Sequence, residues 1–272
     1  VAGASASTPS GPARYPPPSS QEVALRQEHA DRNPHRVGRS QQDWRRTRRA
    51  LNCRRPELSR LAARLYPPRL RVGDTSLLAE PSWLPAEPVE LNDIRLTYAE
   101  NAPPPVVHGT EPQTVHVRPW AEPNRRYSRY SEALRHLEPP RLFVDRPSWR
   151  LTDVTWSVGK GAMTFGPTTY FAGVDTYEAL AHELAAAALD DRGALRATAP
   201  AVPDLPFRRL IDDPCDLSRR PVLASIDTLT IRREARAASF LLHRRDPSRV
   251  AVAGGMLQVV PAGVFQPAGA AP

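Results

Sequence analysis

Four short stretches carry side chains of a type that could do chemistry, and each lacks a partner its chemistry requires. His182 and Glu183 open HELAAAA, which invites comparison with the H-E-x-x-H zinc helix, but Ala186 stands where the second histidine must fall. A zinc ion would have no i, i+4 ligand there, and His182 is expected on the surface or boundary of a helix. Gly159-Lys160-Gly161 has neither the earlier glycine nor the following Ser or Thr of a phosphate loop, and is expected to be a hairpin turn. Cys215 lies in DDPCDLS, where neighbouring acids raise a thiol pKa and disfavour the thiolate. There is no G-x-S-x-G, and the pairs Asp190-Asp191 and Asp212-Asp213 read as solvated residues at a helix end and in a loop. No catalytic residue, metal site or cofactor is expected.

Composition bounds the elements that must position any site. The chain has 272 residues and 40% apolar content, enough to build a core. Its 31 prolines, many in pairs or triplets, predict short elements and long connections. The net charge of +8 is unevenly spread: residues 21–72 hold 14 Arg against 5 acids, whereas 73–272 hold 22 basic and 24 acidic groups. Lys160 is the single lysine, a codon bias of the kind a GC-rich genome imposes, which weakens any reading of arginine as selection for phosphate. Two distant cysteines, no apolar run of spanning length and no signal-peptide pattern point to a soluble, cytoplasmic protein without a membrane partner.

Residues 1–20 are small and Pro-rich and are expected to be a disordered tail. Helices are predicted over 41–52, where Trp44 and Leu51 share a face, and over 56–66, where Pro56 suits a first helical turn. Ile94–Tyr98 and Thr114–Val117 alternate as short strands, and 125–137 reads as a helix whose Tyr127 and Tyr130 are expected to pack inward rather than to stack on nucleic-acid bases. WRLTDVTWSV and AMTFGPTTYF form a hairpin around the Gly-Lys-Gly turn. Asp175, with Glu178 three residues on, is expected to cap the helix TYEALAHELAAAAL. The fold class is α+β: a disordered tail (1–20), a basic helical N-terminal segment (21–72), an α+β body with a mixed sheet and flanking helices (73–200), and a strand region (201–272).

The paired basic helices suggest DNA as one partner. Eight arginines fall between Arg45 and Arg64, and Arg45, Arg46, Arg48 and Arg49 are the candidate phosphate contacts.

The C-terminal third carries a resemblance. LTIRREARAASFLLHRR and VAVAGGMLQVVPAGVF look like the opening strands of a Nudix-type fold. Over Trp44 to Gln266, the segments LYPPRLRVGDTSLLAEPSWLPAEPVELNDIRL, YFAGVDTYEALAHELAAA, DLPFRRLIDDPCDLSRRPVLASIDTLTIRR and FLLHRRDPSRVAVAGGMLQVVPAGVFQP are similar to a family of uncharacterised actinobacterial proteins often labelled as transcriptional regulators. The resemblance implies a Nudix-like region that is incomplete here, because the Nudix helix needs several glutamates for magnesium and no Glu follows Glu234. It also implies Arg244, Arg245, Gly254 and Gly255 as ligand contacts, with a nucleotide-like small molecule as ligand. The expected function is non-catalytic ligand sensing or regulation. The alternatives are a DNA-binding transcriptional regulator and a truncated fragment of a Nudix-type hydrolase.

Overall fold

Apolar side chains spaced three and four apart set the helices, and proline sets where several of them stop. A computed structural model describes residues 34–122, 125–235, 237–246, 249–251 and 254–267; the expected tail at 1–20 lies outside the described residues. Helix α1 spans Pro34–Cys53 and α2 spans Arg55–Arg64. Trp44, Arg48 and Leu51, at i, i+4 and i+7, form the buried stripe of α1, and Leu58 and Ala63 form that of α2. Pro67 and Pro68 follow α2 and open a short 3-10 turn over Pro68–Leu70.

Strand β1 (Ile94–Tyr98) lies where the alternation places it. The second predicted strand does not form: Pro112–Val117 is a 3-10 helix that buries Thr114 and Val117. Those two residues are three apart, which matches a 3-10 face, and Pro112 supplies the fixed φ of its first turn. The segment after it makes a small ribbon, β2 (Trp120–Glu122) against β3 (Arg125–Arg126). Helix α3 therefore begins at Tyr130 and runs to Leu137, later than its sequence suggests, because Glu132 accepts hydrogen bonds from the Ser128 amide and hydroxyl and closes the entry turn. Tyr127 and Tyr130 are buried, as the packing expectation requires.

The hairpin is β4 (Pro147–Ser157) and β5 (Lys160–Thr169), antiparallel from Ser157↔Lys160 to Pro147↔Thr169 with a bulge at Thr152. β1 pairs parallel to β5, giving a mixed sheet of order β1-β5-β4. Helix α4 (Tyr170–Gly173) starts directly off β5 with Thr169 as its cap, passes through a π-helical turn at Val174–Glu178, and continues as α5 (Ala179–Ala188). Asp175 is thus not a cap. It is buried in the π turn and accepts from the Ser131 amide at 2.7 Å and from Arg129 at 3.4 Å. Helix α6 spans Pro206–Ile211.

The remaining strands form two-stranded antiparallel ribbons: β6 (Ser225–Asp227) with β11 (Ala262–Val264), β7 (Ile231–Glu234) with β8 (Ala237–Phe240), and β9 (Leu242–Arg244) with β10 (Leu257–Val259). The first ribbon is tied to β4, since Trp149 donates to Phe265 and accepts from Ala224. The Phe265 ring packs on Tyr98 and Phe165.

Two buried clusters hold these parts together. One joins Trp44 to Val117, Tyr130, Leu134, Val174, Phe207 and Ile211; the other joins Leu51 and Leu58 to Leu184, Ala185, Leu189 and Leu205. The basic helices share both clusters with the body and with the region beyond residue 200. Each large side chain fully buried in this way contributes about 1.5–3 kcal/mol.

Candidate ligand site

The site is built from arginines that sit on apolar helical stripes. Arg48 follows Trp44 by four residues, and the helical period turns it inward; it is 2% exposed. Its guanidinium donates to Glu178 Oε2 at 2.6 Å, to the Tyr130 hydroxyl at 3.2 Å and to the Ala251 carbonyl. Arg55, at the start of α2, donates to both oxygens of the same carboxylate at 3.2 and 3.1 Å. Burial pushes Glu178 up, but Arg48 and Arg55 outweigh it and hold the carboxyl below its usual range. Glu178 was expected in the first turn of a helix; the structure places it in the π turn, clamped between two basic helices.

His182 completes this interior. Its ring stacks on Trp44 with centroids 5.5 Å apart, and Nδ1 lies 3.1 Å from the Tyr130 hydroxyl. It is a core residue, not a boundary one. Burial, with Arg48 and His116 nearby, lowers its pKa to about 3, so it is neutral, while burial pushes Tyr130 up to about 12. Glu183 accepts from the Phe207 and Arg208 amides at 2.7 and 3.0 Å and pairs with His116 at 3.2 Å. Both residues of the H-E pair are thus engaged in joining helices. Among the described residues, no three His, Cys, Asp or Glu side chains are grouped to hold a metal ion.

Beside this cluster a cleft of about 250 Å³ opens between α2 on one side and α5 and α6 on the other. Its walls are largely apolar, with Leu58, Leu184 and Ile211 among them, and Arg55, Arg208, Arg220, Tyr66 and Tyr177 also line it. Arg55 both lines the cleft and clamps Glu178, so one side chain connects the cavity to the interior cluster.

The residues singled out from sequence fall elsewhere. Arg45, Arg46, Arg48 and Arg49 do not form one basic surface: Arg48 is interior, Arg45 donates to the Leu137 carbonyl at 3.4 Å, Arg46 pairs with Asp43 and Asp191, and Arg49 is exposed. Arg244, Arg245, Gly254 and Gly255 are brought together around the β9–β10 connection. There the Arg245 amide donates to the Met256 carbonyl and the Gly255 amide to the Arg245 carbonyl, Arg244 donates to the Gly255 carbonyl, and the Arg245 side chain donates to the Gln258 side chain. Gly255 has φ +82° and a Cβ there would meet open space, so its glycine serves the turn rather than a close approach. Cys53 and Cys215 are free thiols; burial and then Asp213 push Cys215 up, in line with an unreactive thiol. The acidic pairs are turn residues, with Asp190 and Asp213 accepting from nearby backbone amides.

The cleft arginines Arg208 and Arg220 escaped the sequence reading. A signal existed for Arg208: in LPFRRLI it shares a helical face with Ile211, so an arginine is written into an apolar stripe, as in WRRTRRAL. For Arg220, in a loop, no local signal exists.

Fold and site together define an α+β protein in which basic N-terminal helices close one wall of an arginine-lined cleft. No family model, no curated protein and no solved structure matches this chain. Among the described residues, no helix is long and apolar enough to cross a membrane.

Proposed function

We propose that this protein is a non-catalytic ligand sensor, in which occupancy of the cleft between α2 and α5/α6 changes how the basic helices sit on the body. The observation that carries the reading is the double engagement of Arg55, which lines the cleft and also holds Glu178, the carboxylate that Arg48 of α1 shares. A ligand that drew on Arg55 would alter the cluster that fastens both helices. The finer reading of the C-terminal strands as a Nudix-like region rests on the strand run at 225–265. The test has two arms on the purified chain. Hydrogen exchange of α1 and α2 is expected to shift when the cleft is occupied, and incubation with ADP-ribose and Mg²⁺ is expected to leave the nucleotide intact; hydrolysis that requires the metal would end the non-catalytic reading.

DNA remains a second reading because Arg46, Arg49, Arg60 and Arg64 are exposed on the same two helices and Arg54 is exposed between them. It replaces the contact set containing Arg48, which is enclosed.

A further inference from the structure

We infer that the cleft ligand is a small organic carboxylate with an apolar or aromatic body, recognised by Arg208 and Arg220; this deepens the sensing proposal and rests on it. Arg208 is 7% exposed. Its terminal nitrogens donate to the Tyr66 hydroxyl at 2.9 Å and the Leu180 carbonyl at 3.3 Å. Arg220 donates to the Pro214 carbonyl at 2.8 Å and lies 5.3 Å over the Tyr177 ring. All these partners are neutral, and neither guanidinium has a carboxylate within ion-pair distance among the described residues.

The neighbouring cluster differs in charge. Arg48 and Arg55 share the charge of Glu178. Glu183, which meets the start of α6, is committed to the backbone amides of Phe207 and Arg208 and to His116. A buried cation is costly unless an anion meets it, and here the missing anion would have to enter from the cleft. Arg150 is also buried without a carboxylate, but the Pro103 and Leu217 carbonyls enclose it in β4 and it is not among the cleft's walls. A planar guanidinium matches a carboxylate through two parallel hydrogen bonds. The rest of the cavity selects the body of the ligand: Leu58, Leu184 and Ile211 offer nothing to a hydrated inorganic ion, whereas they and the Tyr66 ring suit an apolar or aromatic group.

Calorimetric titration of the full 272-residue chain tests this with phenylacetate, indole-3-acetate and isovalerate. Phenylacetamide serves as the neutral counterpart, and inorganic phosphate and AMP as the competing anions. At least one carboxylate is expected to saturate with Kd below about 1 mM, with the amide at least about tenfold weaker. Arg220→Gln is expected to weaken that carboxylate about tenfold with only a small fall in melting temperature, because it gives up one hydrogen bond and one ring contact and is only half-buried; Arg208→Gln serves only if its melt is intact. Ser59→Trp, which fills the cleft from α2, is expected to abolish binding. Equal binding of acid and amide, both lost in Ser59→Trp, would overturn the ligand class and leave the cleft as a site. Binding of phosphate or AMP in place of the carboxylates would overturn it in favour of a phosphate ligand. Carboxylate binding with unchanged exchange in α1 and α2 would keep the class and remove the sensing role, and binding by none of the probes would overturn both.

Discussion

Glu178 stands between Arg48 and Arg55 at the point where the helices meet the body, and its side chain is 4% exposed. Replacing it with glutamine leaves Arg48 buried with only the more distant Glu138 carboxylate, at 3.9 Å, as a countercharge, which should cost up to about 3–5 kcal/mol in unfolding free energy, read from urea titrations. The same carboxyl has a pH signature. Its folded pKa is depressed, so its contribution is complete above the unfolded value of about 4.3 and fades as the pH falls through the folded pKa. His182 adds an acid limb of its own. An unfolded histidine takes a proton near pH 6.5 and the folded one only near 3, so falling pH between those values favours unfolding, by up to about 1.4 kcal/mol per pH unit. His182→Gln keeps a hydrogen-bonding group beside Tyr130 and should make stability less steep by about one proton over that window; equal slopes in the two proteins would refute the assignment.

At the scale of elements, α2 is held chiefly by its apolar stripe, and the ion cluster adds to it. Leu58 is buried in the cluster with Leu184 and Ala185 of α5 and with Leu189 just beyond it, so truncation to alanine should cost about 2–5 kcal/mol and raise hydrogen exchange most in α2. A uniform rise across the sheet would mean that α2 and the hairpin unfold as one unit. Many elements were legible from local pattern: the α1–α2 pair, β1, the β4–β5 hairpin and the helix through Leu184 each carry their own periodicity. The errors share a cause. Thr114–Val117 alternates like a strand, but only tertiary packing decides that Thr114 and Val117, not Val115 and Val117, face inward. Asp175 followed by Glu178 looks like a capping pair, yet Thr169 takes the cap and both acids turn inward to meet groups from α1, α2 and the approach to α3.

At the scale of the molecule, the positive charge of the N-terminal helices survives on their outer face while their inner face is neutralised by the body. If that outer face binds DNA, affinity should fall steeply with salt, and replacing Arg46, Arg49 and Arg60 with glutamine should lower the slope of log K against log salt by about one per lost phosphate contact. Binding that is absent or insensitive to salt would dispose of the DNA reading. The sequence by itself determined the α+β class, the concentration of charge near the N-terminus and the lack of a recognisable catalytic motif, because propensity, composition and motif spacing are local properties. Only the tertiary structure decided which arginines are neutralised. Glu178 lies 130 residues from Arg48, and Tyr66 lies 142 from Arg208. Whether a guanidinium meets a carboxylate, a neutral oxygen or a cleft depends on contacts between segments far apart in the chain, and no spacing along it records them.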